Sequence, residues 1–337
     1  MQSAYESGIC ISIDDPSQIG EARRSASAVA SSVGLNDTDV GKFALIATEA
    51  ATNISKHAQR GEIILRSLVA PGIRGVDLVA IDSGPGIANL DRAIGDGYST
   101  AGTSGHGLGA IGRLATSFDI FTTEGVGTVL SARIERDAPR TTSGPRYEIG
   151  VVRVPKRGEE QCGDDWSIVI DKDGRATLTV ADGLGHGRAA AEAASRAAEI
   201  GADRAAEQPA MVVSAIHAGL RSTRGAAVAV TEIGETRVRF AGLGNISAST
   251  VGPTDSHSLV SHNGIAGHEM RKIQEFSYSW AAGSFLVVHS DGLSARWDLT
   301  RYPGLISRHP SVVAGVLYRD YSRGRDDALV IVVRAVV

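Results

Sequence analysis

The chain has 337 residues, 42% hydrophobic and 21% charged, an ordinary globular composition long enough for about two domains. Its net charge of -4 divides into -5 over residues 1–137 (11 Lys+Arg against 16 Asp+Glu) and +1 over the rest (23 against 22), so neither half has the basic footprint of a nucleic-acid binder. No apolar run approaches a membrane span, the first residues do not read as a signal peptide, and two cysteines, Cys10 and Cys162, cannot build a cysteine-rich zinc site; free thiols in a reducing cytoplasm are expected.

In chain order, residues 8–13 read as a strand. Asp15 as N-cap with Pro16 at the first helical position starts a helix to about Val33, which Gly34 ends. Asn36 or Asp37 caps a second helix to about Ala58. Strands are predicted near 61–69 and 75–82, then a glycine-rich loop over 83–107 and a helix over 108–117. Strands near 118–124 and 127–135 form a hairpin around Gly125-Val-Gly127. Helices followed by strands predict one mixed sheet with helices on one face. The polar, turn-rich stretch 138–146 is the linker candidate.

Beyond it, strands are predicted near 147–154, 166–171 and 175–181. Alanine-rich helices follow at 187–203 and 209–222, the second opened by Pro209. Strands near 226–232, 236–241, 246–251 and 284–289, a helix near 310–321 and a strand at 328–335 complete the chain. Strands at both ends with an inserted helix pair predict a β-sandwich flanked by helices.

Three motifs in the first half suit a nucleotide. Glu49, Asn53 and His57 are spaced i, i+4, i+8 and share one helical face. Asp82 ends the apolar run Val76-Asp-Leu-Val-Ala-Ile81, where a carboxylate can accept a hydrogen bond from an exocyclic amine. Gly84 and Gly86 let the backbone lie against a flat base. Gly105, Gly107 and Gly109 precede a helix whose first amides favour phosphate.

This ordered set resembles the GHKL ATPase/kinase family over about residues 8–136, and within it the small anti-sigma-type serine kinases. Residues 95–109 are similar to the lid of the stressosome switch kinase. The resemblance implies ATP and Mg²⁺ as ligands: Asn53 on Mg²⁺, Asp82 on adenine N6, Glu49 as general base or water positioner, and Gly105, His106, Gly107, Leu108 and Gly109 around the phosphates. Lys56 would help neutralise them. A histidine-bearing helical hairpin is lacking, which points away from a sensor histidine kinase.

The second half carries Cys162-Gly-Asp164-Asp165, Ala181-Asp182-Gly183, His289-Ser-Asp291-Gly292 and Arg325-Asp326-Asp327. Each Asp-Gly alone is an ordinary turn. Together they put carboxylates at the ends of apolar strands, where like charges repel unless hard cations join them, and oxygen-only ligands select Mg²⁺ or Mn²⁺. Two such ions about 3.5–4 Å apart can generate a hydroxide and clamp a phosphoryl group.

That set resembles the metal-dependent serine/threonine phosphatase (PPM) superfamily in its bacterial SpoIIE-like branch, over about residues 147–337. The resemblance implies Asp182 bridging both ions as the central catalytic ligand, with the Gly183 carbonyl on one of them. Asp164 would ligate one ion, and Asp291 and Asp326 the other. Gly244-Asn245 and Asn263-Gly-Ile-Ala-Gly267 are similar to intervening motifs. Leu329 stands where the family often has Thr, and spacing leaves Asp164 and Asp165 open for one role.

The expected architecture is α+β in two domains: a GHKL α/β sandwich at 1–137, a linker at 138–146, and a PPM-type β-sandwich flanked by helices at 147–337. The two resemblances together imply a kinase and a phosphatase in one cytoplasmic chain. The partner would be a STAS-domain antagonist or a stressosome-like scaffold protein. A sigma factor or other effector, held by an ATP-binding module with little turnover, is the alternative. Oligomeric state is left open by the sequence.

Overall fold

The computed structural model describes residues 8–70, 73–95, 107–137, 146–252 and 255–336. The chain divides into two compact units, Glu6–Pro139 with Tyr302–Arg319, and Met1–Tyr5 with Arg140–Arg301 and Asp320–Val337. This departs from a cut at the linker: eighteen residues expected in the second domain group with the first. Residues 138–145 of the linker lie outside the described residues.

The first unit runs β1 (Ile9–Ile13), α1 (Gln18–Ser32), α2 (Asp37–Asn53), β2 (Gly61–Ala70), β3 (Ile73–Asp82), α3 (Leu90–Ile94), α4 (Gly107–Leu114), β4 (Ser117–Thr123) and β5 (Gly127–Asp137). The sheet order is β1-β2-β3-β5-β4. Every neighbouring pair is antiparallel, so the expected mixed sheet is corrected. Strand alternation sends Ile63, Leu65, Val76, Leu78, Ala80, Leu130 and Ala132 to a core shared with Ala22, Ala26, Phe43, Ile46 and Ala47 of the helices.

Two helix starts differ in how far the sequence located them. Asn36 caps α2, its side chain accepting from the Asp39 amide at 3.0 Å. Asp15 does not cap α1; it accepts from the Ser17 amide at 2.9 Å in a turn just before the helix. The short α3, capped by Asn89, lies inside the stretch expected to be loop.

The outer face of the sheet is also covered, contrary to the expectation of helices on one face. A Cβ built on Gly315 would lie 2.5 Å from Val129 Cγ1, so only a residue without a side chain fits there. His309 donates its amide to Asp119 at 2.6 Å, and the Tyr318 hydroxyl donates to Glu62 at 3.1 Å. Beneath them Asp77 is completely buried, in ion pairs with Arg66 and Arg133, and the Ser311 hydroxyl donates to it at 3.1 Å.

The second unit contains β6 (Arg146–Val154), β7 (Asp164–Ile170), β8 (Ala176–Gly183), α5 (Arg188–Asp203), α6 (Pro209–Gly219), β9 (Ala226–Ile233), β10 (Arg237–Leu243), β11 (Ser247–Val251), β12 (Ser256–Ser258), β13 (Ser261–His262), β14 (Phe276–Ser279) and β15 (Phe285–His289). Helix α7 (Pro310–Tyr321) crosses to the first unit for most of its length, and β16 (Ala328–Val336) returns. One sheet runs β13-β10-β9-β8-β7 with β14 beside β10; the other runs β12-β11-β15-β16-β6.

The short strands β12, β13 and β14 carry too few alternating residues to announce themselves in sequence. Tyr147 of β6 ties the two sheets, donating its hydroxyl to the Gly174 carbonyl at 2.9 Å. Helices α5 and α6 cover the first of these sheets through an apolar cluster of Ala194, Ala197, Val212, Ile216, Val228 and Val230. The Ser167 hydroxyl holds α5 at the Ala198 carbonyl, 2.8 Å away.

Candidate functional site

In the first unit, α2 continues past Asn53 as a single widened π turn over Ile54–Ala58, closed by the Gln59 amide on the Ile54 carbonyl at 2.9 Å. Such turns interrupt the 3.6-residue period. Glu49 and Asn53 keep the predicted helical face, while His57 and Lys56 fall in the widened turn and are exposed.

Gly107 opens α4 directly over that face. A Cβ there would sit 3.1 Å from Asn53 Oδ1 and 3.4 Å from Glu49 Oε2. The Asn53 amide nitrogen is buried without a hydrogen-bond partner. A buried, unpaired amide is costly unless a ligand completes it. Leu108 turns its side chain toward the core, so only its backbone can serve a phosphate, and Gly109 is buried. Gly105 and His106 lie outside the described residues.

Asp82 ends β3, and its Oδ1 accepts from the Gly84 amide at 2.8 Å and the Thr128 amide at 3.3 Å. Burial raises its carboxyl against those two amides, and its second oxygen is available to a ligand. Gly84 lies against Ala58 of the widened turn, where a Cβ would come within 2.7 Å of another Cβ. Gly86, at φ +70°, would meet the Thr123 carbonyl at 2.4 Å. Both glycines are required by close backbone approach. The arrangement fits a magnesium nucleotide: an amide and a carboxylate beside a helix N-terminus, with a second carboxylate at a glycine-lined wall.

In the second unit, β7 and β8 pair so that Asp164 stands directly opposite Asp182. Directly opposed residues project to the same face. This puts Asp164, and not Asp165, on the same face as Asp182. Asp165 faces the other way, accepts from the Trp166 amide at 3.0 Å and lies 3.9 Å from Arg153. Gly183 follows Asp182 where a Cβ would strike the Ala190 carbonyl at 2.1 Å, and Gly292 follows Asp291 where one would strike the Asp327 carbonyl at 1.9 Å. Each Asp-Gly pair therefore couples a carboxylate to a backbone crossing no other residue permits.

Asp164 is 1% exposed and accepts from the Ser290 hydroxyl at 2.7 Å. That hydroxyl in turn accepts from the Leu329 amide at 3.0 Å, a strut between the two sheets. Burial, then Asp182 and Asp327, push the Asp164 carboxyl well above the usual range. Burial, then Asp291, Asp326 and Asp327, push Asp182 up to about 7. Among the described residues, no three His, Cys, Asp or Glu side chains are close enough as placed to hold one ion.

The fit to a cation rests on charge: carboxylates driven together by the fold, with one buried oxygen, Asp327 Oδ2, lacking any hydrogen-bond partner. Hard divalent ions with oxygen ligands suit that donor set. Asp291 takes a hydrogen bond from the Asn245 amide at 2.6 Å, and Asp326 is exposed.

Asn245, Ser290 and Asp327 were not among the predicted ligands. Only the Gly244-Asn245 pair and the second Asp of Asp326-Asp327 hinted at them. His289, also missed, accepts from the Trp297 indole at 3.0 Å and so carries its proton on Nδ1, facing the Ser290 carbonyl at 2.8 Å. Burial holds its basicity down. His186 contacts Glu159 at 2.6 Å and stays at the exposed rim.

Residues 14–134 match the family described as the histidine kinase-like ATPase domain. The serine/threonine-protein kinase RsbT of Bacillus subtilis (strain 168) is 32% identical over 123 residues, 36% of this chain and 92% of that protein. A solved structure described as "the bacterial stressosome: a modular system that has been adapted to control secondary messenger signaling" is 26% identical with a TM-score of 0.52, covering 56% of this chain and all of that one. A structure of RsbX in complex with magnesium is 20% identical with a TM-score of 0.49, covering 56% of this chain and 95% of that one.

Proposed function

The chain belongs, through residues 14–134, to the histidine kinase-like ATPase family, and on that premise we propose that it is a bifunctional partner-switching regulator. Its first unit transfers the γ-phosphoryl of Mg-ATP to a serine or threonine of a STAS-domain antagonist or stressosome-like scaffold protein. Its second unit hydrolyses phosphoserine or phosphothreonine at a centre for two Mn²⁺ or Mg²⁺ ions. One observation carries the reading. Two separate sets of buried polar groups await a ligand: the unpaired Asn53 amide beside Glu49 and Gly107, and the mutually repelling carboxylates around Asp182.

In the first unit, Asp82 would orient the base, Asn53 would hold the metal, and Glu49 would take the proton of the attacking hydroxyl. The α4 amides from Gly107 onward would serve the phosphates, and the motif assigns Gly105, His106 and Lys56 to the same task. The likeness to a protein named as a serine/threonine kinase supports hydroxyl as the acceptor.

In the second unit, Asp164, Asp182, Asp291 and Asp326 with the Gly183 carbonyl would hold the cations. When bound, the ions supply a hydroxide nucleophile and polarise the phosphoryl oxygens. Ser290 and Asn245 orient Asp164 and Asp291 while this happens. Among the described residues no helix is long and apolar enough to cross a membrane.

The test is a phosphate chase on the full chain. The chain is incubated with γ-labelled Mg-ATP and a STAS-domain partner, ATP is removed, and Mn²⁺ is added. Asp182→Asn should label the partner and fail to release phosphate. Asn53→Ala should not label it, yet should still hydrolyse a phosphoserine peptide. A partner that binds the chain tightly but never acquires phosphate would favour sequestration over transfer.

A further inference from the structure

Asp326 and Asp327 are neighbours with different surroundings. Asp326 is exposed, while Asp327 is 4% exposed. Asp327 Oδ1 accepts from the Lys156 amide at 2.8 Å. Its Oδ2 is buried, has no hydrogen-bond partner, and points at the backbone of Gly163, where a Cβ would come within 2.6 Å of it. Gly163 directly precedes Asp164, and Asp327 acts electrostatically on both Asp164 and Asp182.

Among the described residues Asp327 makes no ion pair. Arg153, the nearby cation acting on Asp164, spends its guanidinium on the Asp164 carbonyl at 2.6 Å and the Cys162 carbonyl at 3.2 Å. A residue needed only to receive the Lys156 amide could be neutral. Asparagine would keep that bond without burying a charge, and burying an unpaired charge is among the costliest things a fold does.

We propose that Asp327 is itself a cation ligand, closing the centre from its buried side together with Asp164 while Asp326 serves the exposed side. This rests on the metal-centre reading above and adds a ligand to it.

Asp327→Asn tests it on the full chain, with Asp326→Asn for comparison and Asp327→Ser as a second variant should the first fail to fold. Metal-free protein is melted, then titrated calorimetrically with MnCl₂. Asp327→Asn should melt higher than wild type without metal. It should bind Mn²⁺ at least about tenfold more weakly, a loss that even residues behind the ligands produce.

A purely structural acceptor for Lys156 predicts unchanged Mn²⁺ affinity in Asp327→Asn, since the asparagine oxygen keeps that bond, and that result would overturn the assignment. Wild-type protein that binds neither Mn²⁺ nor Mg²⁺ would overturn the metal-centre reading and the Asp327 ligand together. Wild-type binding matched by Asp327→Asn would remove Asp327 alone.

Discussion

Asp77 and Asp164 are both strand aspartates with almost no exposure, and their surroundings are opposite. Asp77 lies between Arg66 and Arg133, directly opposed across two neighbouring strands, and takes the Ser311 hydroxyl as well. Burial alone would raise its carboxyl; Arg133 and Arg66, then His309, outweigh it and hold it well below the usual range. Asp164 is buried beside Asp182 and Asp327 and is driven upward. One carboxylate has its counter-charges built into the fold. The other has been given more negative neighbours. The first arrangement serves structure, and the second is the one a cation from solution would relieve.

The largest predicted effect breaks the first arrangement. Asp77→Ala leaves two buried guanidinium groups without their shared anion and should cost about 3–5 kcal/mol, read by urea denaturation. The same logic fixes a pH response. A depressed folded-state value means the Asp77 contribution is complete above its unfolded value near 4 and is lost as pH falls below it. Wild-type stability should therefore drop more steeply below about pH 4 than that of Asp77→Ala. Parallel acid titrations would contradict the account.

The second effect belongs to the other arrangement. Mn²⁺ at about a hundred times its dissociation constant should stabilise the second unit by about 2.7 kcal/mol. Asp182→Asn should lose most of that gain, measured as a shift in melting temperature. The smallest effect sets the scale for a neutral polar group: Asn36→Ala removes the α2 cap and should cost about 1 kcal/mol, with no dependence on added metal.

Sequence made much of this legible where chemistry is local. The Asn36 cap, the Pro209 start of α6 and the hairpin at Gly125-Val-Gly127 depend on a few adjacent residues, and the structure places all three as expected. Asp82, Asp182 and Asp291 stand out in sequence because each closes an apolar run with a glycine one or two residues on.

What escaped depends on pairing between distant strands. Asp77 looked like part of an apolar run, since its arginines meet it only through the β2-β3-β5 register. Which of Asp164 and Asp165 shares a face with Asp182 depends on the β7-β8 register, which local sequence does not show. The segment 302–319 reads as an ordinary piece of the second half. Nothing in its local pattern says that Ser311 bonds to a residue 234 positions earlier.

One comparison bears most directly on the claim that the second cluster is built for a cation. Asp77→Asn and Asp164→Asn are the same isosteric exchange in the two settings, measured by denaturation of the metal-stripped full chain and again in saturating MnCl₂. Asp77→Asn should be less stable than wild type in both conditions. Asp164→Asn should be more stable than wild type without metal, and should gain much less than wild type when Mn²⁺ is added. An Asp164→Asn chain destabilised without metal, beside a wild type that gains nothing from Mn²⁺, would contradict the account.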